Sequence, residues 1–140
     1  MERLRIAAAA AIAAAMLAGC AKSEYEKAEK SVNGFIEVHM PDNAKPDTVM
    51  IFAPPNCPRE AGQRARALSE QLTKLEIPNE MTNRYGLRFT DNSEEFRAKL
   101  KRTAAIMEGE IPAVLINGMG RSNPTPEQVA AEYERTTRGK

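Results

Sequence analysis

Thr48-Val49-Met50-Ile51-Phe52-Ala53-Pro54-Pro55-Asn56-Cys57-Pro58 is the stretch on which the reading of this chain turns. Thr48 to Ala53 is apolar or β-branched throughout, without the alternation of a half-solvated strand, so it predicts a strand covered on both faces. Pro54-Pro55 stops it, because proline has no amide hydrogen for the ladder. Beyond Cys57 the period changes. Ala61, Ala65, Leu68, Leu72 and Leu75 form one stripe of a helix between Pro58 and Leu75, with Arg59, Glu60, Arg64, Glu70 and Lys74 supplying its polar surface. Ile77-Pro78 closes that helix, since the residue before a proline leaves the helical region. The unit is therefore buried strand, cysteine, helix.

Outward from it, Glu80 to Phe89 alternates, with Met81, Tyr85, Leu87 and Phe89 on one face, and predicts a second strand. A helix follows, with Asn92 as its N-cap, Glu95 completing a near capping box, and a stripe of Phe96, Leu100, Ala104 and Met107; Gly109 lies just past its end. Ile111-Pro112 leads into Ala113 to Ile116, a second fully apolar strand. Asn117-Gly118 is a hairpin signal, and a short return strand is expected around Gly120 to Ser122. The last helix has Thr125 as N-cap, Pro126 at its first position and Gln128 closing the box, with Val129 and Tyr133 turned inward. On the N-terminal side, Phe35 to Met40 alternates as a half-buried strand, with Ile36, Val38 and Met40 on one face and Phe35, Glu37 and His39 on the other.

From Thr48 the order strand, helix, strand, helix, strand, strand, helix resembles the minimal thioredoxin and glutaredoxin order. The resemblance covers roughly residues 35 to 137 and is one of pattern. It implies an α/β, thioredoxin-like three-layer fold: a central mixed sheet of four to five strands flanked by three helices, with the two continuous apolar runs internal and the alternating strand at an edge. Phe35 to Met40 would add an N-terminal strand. Cys57 opens the first helix as the nucleophilic cysteine of these families does, and Ile111-Pro112 looks like their cis-proline site, the edge on which an extended substrate segment docks. Residues 117 and 118 and the run 122 to 125 fall where glutaredoxins hold glutathione, although the glutaredoxin glycine pair is absent. The families' Cys-x-x-Cys is also absent: Cys57-Pro58-Arg59-Glu60 has a glutamate in place of the resolving cysteine. An intramolecular disulfide cycle is excluded. The monothiol glutaredoxin route through a mixed disulfide stays open, with glutathione or another small thiol as co-substrate and no bound cofactor.

The N-terminus reads as an address. Arg3 and Arg5 precede an apolar run from Ile6 to Leu17, shorter than the about 20 residues a spanning helix needs. Charged start, short apolar stretch and small residues make a secretory signal. Leu17-Ala18-Gly19-Cys20 resembles the lipobox of bacterial lipoproteins, which implies cleavage before Cys20 and acylation of its thiol. Residues 1–19 are thus expected to be a signal peptide, 20–33 a charged membrane tether that admits a short helix, and 34–140 the thioredoxin-like domain. The bilayer would be a partner through Cys20, in the cell envelope and facing the periplasm. Ala21 rather than Asp after the cysteine resembles the outer-membrane sorting pattern where an organism has two membranes.

Removing Glu2, Arg3 and Arg5 from 20 basic and 19 acidic residues leaves 18 of each (20 − 2 and 19 − 1), so the mature chain is close to neutral. That gives no electrostatic case for nucleic acid, and the absence of Trp argues against a stacking platform for bases. No cluster of Cys, His or carboxylates has metal-ligand spacing, so no metal is expected. Met50, Met81 and Met107 fit core positions, and His39 fits a strand's polar surface better than a base.

With Cys20 acylated, Cys57 is the one thiol left. An odd cysteine in an exported chain is a reactive thiol, an intermolecular partner, or a small buried hydrophobe. At a helix N-terminus, unpaired amide hydrogens and the helix dipole favour the thiolate. Arg59 would assist it as a modulator and Glu60 would oppose it. Two functions follow: a monothiol disulfide oxidoreductase acting on a disulfide-containing envelope protein, or a non-catalytic binding or assembly lipoprotein built on the same fold.

Overall fold

The computed structural model describes residues 23–54, 58–89 and 91–138. In chain order it contains α1 (Glu24–Lys27), β1 (Ile36–Glu37), β2 (Val49–Phe52), α2 (Glu60–Lys74), β3 (Asn79–Thr82), α3 (Glu94–Met107), β4 (Ala113–Ile116), β5 (Met119–Ser122) and α4 (Pro126–Thr137). The five strands form one mixed sheet in the order β1-β5-β4-β2-β3. β2 and β3 are parallel; β2–β4, β4–β5 and β5–β1 are antiparallel. This is the three-layer α/β arrangement expected, with both continuous apolar runs internal and β3 at an edge.

Burial explains the layering. Every residue of β2 and β4 is buried. Val49, Ile51, Val114 and Ile116 point to one face and pack with Ala65, Leu68 and Leu72 of α2 and Val129 of α4. Met50, Phe52, Ala113 and Leu115 point to the other and pack with Ile106 of α3. Each large aliphatic side chain removed from water in this way contributes about 1.5–3 kcal/mol. The Asn117–Gly118 hairpin is as expected: both residues have positive φ, 46° and 84°, the backbone of a type I′ turn whose twist suits the flanking strands. The capping box at Thr125 and Gln128 is formed, with Pro126 in the first turn of α4.

Several local expectations are corrected. The N-cap of α3 is Ser93, whose hydroxyl accepts from the Phe96 amide at 3.1 Å, and not Asn92. The buried residues of α3 are Phe96, Thr103 and Ile106, while Ala104 is exposed. Thr103 belongs inside because its Oγ1 accepts from the His39 amide at 3.0 Å and donates to the Lys99 carbonyl at 2.8 Å. Leu75 ends the α2 stripe outside the core, as the C-cap residue. β3 stops at Thr82, short of Phe89, and both Phe89 and Met81, which is on the strand, are exposed. β3 is an edge strand with β2 on one side only, which leaves Met81 open laterally. β1 shrinks to two residues, yet both faces of this segment are buried through Phe35 and Ile36.

Gly109 does follow α3, but not as a left-handed cap, since its φ is not positive. A Cβ there would lie 2.4 Å from the Ser122 hydroxyl, so the glycine lets the end of α3 close on the end of β5. Within the stretch 20–33 read as a tether from its charges, the described residues from Ser23 on are packed onto the domain. Tyr25 and Ala28 lie against the α3-side core, the Tyr25 hydroxyl donates to the Gly34 carbonyl at 2.8 Å, and Lys30 bridges to Ile36.

Candidate functional site

The parallel strands β2 and β3 end together at the Phe52–Thr82 pair, and β4 starts beside them at Ala113, opposite Phe52. In open α/β sheets, ligands collect beyond the carboxyl ends of such strands. At this end stand Pro54, the start of α2 and the Ile111–Pro112 segment. Cys57 and Cys20, expected from the sequence to be a nucleophile and a lipidation site, lie outside the described residues, as does the whole segment 1–22.

Arg59 is the N-cap of α2 and is exposed, and its side chain makes no capping hydrogen bond. The first amides of α2 therefore have no capping side chain among the described residues, unlike those of α3 and α4, which have Ser93 and Thr125. Polar capping commonly contributes about 1 kcal/mol, and no described side chain supplies it where α2 begins. The Glu60 carboxylate, expected to oppose a thiolate, leans along the helix toward Arg64, with Arg64 Nη1 to Glu60 Oε1 at 3.7 Å. At that distance and exposure the pair contributes little to stability.

The Ile111–Pro112 peptide bond is cis, Ile111 is half-buried and Pro112 is buried. The backbone around it is heavily engaged. Arg64 Nη2 donates to the Ile111 carbonyl at 2.9 Å. The Pro112 carbonyl accepts from the Asn123 amide at 2.7 Å, and the Glu110 carbonyl accepts from the Ser122 hydroxyl at 2.6 Å. Asn123, at φ 47°, also donates from Nδ2 to the Glu110 carboxylate at 2.9 Å. The segment expected to dock an extended chain thus already has both of its carbonyls occupied. Arg64 went unrecognised in the sequence, where it reads as helix surface. The signal available was its place one turn into the helix after Cys57, which is too weak to select it from the other charges of that helix.

Ile111 and Pro112 separate two hollows. One, of about 420 Å³, is lined by Phe52, Ala53, Pro54, Asn83, Tyr85, Met107, Ile111 and Ala113. The other, of about 360 Å³, runs between α2 and the 123–126 turn, with Arg64 and Pro112 on its wall. The first is mostly apolar and could take a hydrophobic side chain of a docked segment. Its Tyr85 hydroxyl donates to the His39 carbonyl at 2.5 Å, and burial raises the Tyr85 pKa above its ordinary value, so the phenol stays neutral and is held as a wall. His39 packs edge-on against Phe96, at 4.9 Å between ring centroids. It serves as a packing residue there, away from the end that carries Ile111. Among the described residues there is no group of three His, Cys, Asp or Glu that could hold a metal ion, and no helix long and apolar enough to cross a membrane. No family model, no curated protein and no solved structure matches this chain.

Proposed function

We propose that this chain is an envelope lipoprotein, acylated on Cys20, whose thioredoxin-like domain exchanges thiols and disulfides through Cys57. The supporting observation is an arrangement: the stretch holding the one unlipidated thiol joins a fully buried strand to the start of α2, which no described side chain caps, at the sheet end that carries the cis Ile111–Pro112 bond. Unpaired amide hydrogens at a helix start stabilise a thiolate. In the proposed step the Cys57 thiolate attacks one sulfur of a partner disulfide. A Cys57–partner disulfide forms and the other partner sulfur leaves as thiolate. A second thiol, glutathione or another small thiol, then attacks the mixed disulfide and releases Cys57. Arg59 modulates the charge of the sulfur, and Ile111 and Pro112 form the docking edge. The lipid places the domain on the periplasmic side of the envelope, on the outer membrane in organisms that have two.

The test is alkylation and exchange. Cys57 should alkylate at neutral pH faster than a model thiol of pKa about 8.5, and Cys57→Ser should abolish exchange with a glutathione mixed disulfide. A model-like alkylation rate without exchange activity overturns the reading.

A second reading, a non-catalytic binding or assembly module, is favoured by two observations. Glu60 stands in place of a resolving cysteine, and Arg64 already occupies the Ile111 carbonyl. It expects Cys57→Ala to keep fold and cellular phenotype, while substitutions around Ile111 weaken capture of a partner. Loss of phenotype in the cysteine variant would count against it.

A further inference from the structure

The described chain begins at the same end of the domain as the candidate site. Ser23 shares a hollow with Ala105, Ile106, Gly109, Arg121 and Ser122, which are the end of α3 and the end of β5. Ser122 pairs with Ala113, and Ala113 with Phe52, so this is the sheet end at which Ile111–Pro112 and the start of α2 lie. The Asn117–Gly118 turn and the last turn of α2 lie at the other end. The chain is also fastened directly after Ser23: by Tyr25 to Gly34, by Ser31 Oγ to the buried Glu132 at 2.7 Å, and by Arg121 Nη1 to the Asn33 carbonyl at 2.6 Å.

Cys20 is three residues before Ser23. A chain spans at most about 3.6 Å per residue, so an acylated Cys20 lies within about 11 Å of Ser23. A domain of this length has a radius of gyration of about 13 Å, so so short a leash reaches only one end of it. We infer that the lipid anchor holds the Ile111–Pro112 end of the domain against the bilayer surface, so that the segment it acts on is polypeptide lying at that surface. This rests on the acylation of Cys20 proposed above. Charge does not impose the orientation. Arg59, Arg64 and Arg121 are accompanied there by Glu60, Glu108 and Glu110, a mixture with no net preference for anionic lipid. The covalent leash sets it.

The test uses full-length lipidated protein, with Cys57→Ala and, in parallel, Cys57→Ser so that a folding defect in one background does not decide the result. One thiol is introduced by Asn83→Cys, at the site end, or by Lys74→Cys, at the far end, and carries a fluorophore. The protein is reconstituted in phosphatidylethanolamine–phosphatidylglycerol vesicles containing headgroup-nitroxide lipid. Intact mass establishes acylation first. The label at 83 should be quenched several-fold more strongly than the label at 74. Inserting a long Gly/Ser stretch after Ala21 should bring 83 down to the level of 74. Acylated protein with equal quenching at both positions, or stronger quenching at 74, overturns the orientation and leaves the anchor standing. A mature mass without acyl chains overturns the anchor and the orientation together.

Discussion

The hydroxyl of Ser31 donates to the carboxylate of Glu132 at 2.7 Å, joining residues 101 apart in the chain. Glu132 is fully buried on α4, and Arg135, one turn on, forms an ion pair with it. Asn33 Nδ2 adds a longer contact at 3.5 Å. A carboxylate out of water is stable only when its oxygens are satisfied. Glu132 meets that condition by drawing the N-terminal segment onto the last helix.

Glu132→Ala should therefore lower stability by about 1–3 kcal/mol, the low side of a broken buried pair because Arg135 is partly exposed and can rehydrate. The distinctive readout is local. Limited proteolysis should cut at Lys27 or Lys30 faster than in the parent chain, while the sheet stays protected. Unchanged cleavage would show that the segment is held without this carboxylate.

Replacing the α3 cap separates two adjacent residues. Ser93→Ala removes the hydroxyl that accepts from the Phe96 amide and should cost about 1 kcal/mol. Asn92→Ala should stay within about 0.5 kcal/mol of the parent. Urea denaturation of the two variants checks the order, and the reverse order would restore Asn92 as the cap.

Arg64→Met keeps an apolar stem beside Leu68 but strips the donor from the Ile111 carbonyl. The expected loss is about 1–2 kcal/mol. Arg64→Lys should recover only part of it, because an ammonium lacks the planar fork of the guanidinium. A stability equal to the parent in Arg64→Met would mean that the carbonyl finds water as easily as arginine.

The Glu37–Lys99 pair sets a pH dependence. Lys99 Nζ lies 2.9 Å from Glu37 Oε1. That hydrogen bond first, and the charge of Lys99 second, hold the Glu37 carboxyl below its ordinary 4.5; the same bond, outweighing partial burial, raises Lys99 above 10.5. A depressed carboxyl stabilises the fold fully above its unfolded value, and loses this as pH falls through the lower folded value. A raised lysine stabilises below its unfolded value, and loses this as pH rises through the higher folded one. The pair therefore acts at full strength between about pH 5 and 10. Glu37 is more than half exposed, so Glu37→Gln should cost less than about 1 kcal/mol at pH 7. The difference from the parent should fade in acid. Denaturation midpoints of both proteins across pH 3 to 8 provide the check.

The amino-acid order by itself determined whatever depends on neighbours along the chain. The unbroken apolar runs at 49–52 and 113–116 specified internal strands, Asn117-Gly118 specified the type I′ turn, and Thr125-Pro126 with Gln128 specified the start of α4, because backbone chemistry and side-chain period act within a few residues. Tertiary structure decided which candidate faces were covered. Thr103 went inside instead of Ala104 because the His39 backbone needed a partner; Met81 stayed outside on the edge strand β3, and Phe89 stayed outside because the strand ends at Thr82, before reaching it. Arg64 became part of the site, and Ser31 and Asn33 part of the domain, through contacts with Ile111 and Glu132. Those contacts span dozens of residues, and burial and hydrogen-bond satisfaction are settled only when distant segments meet.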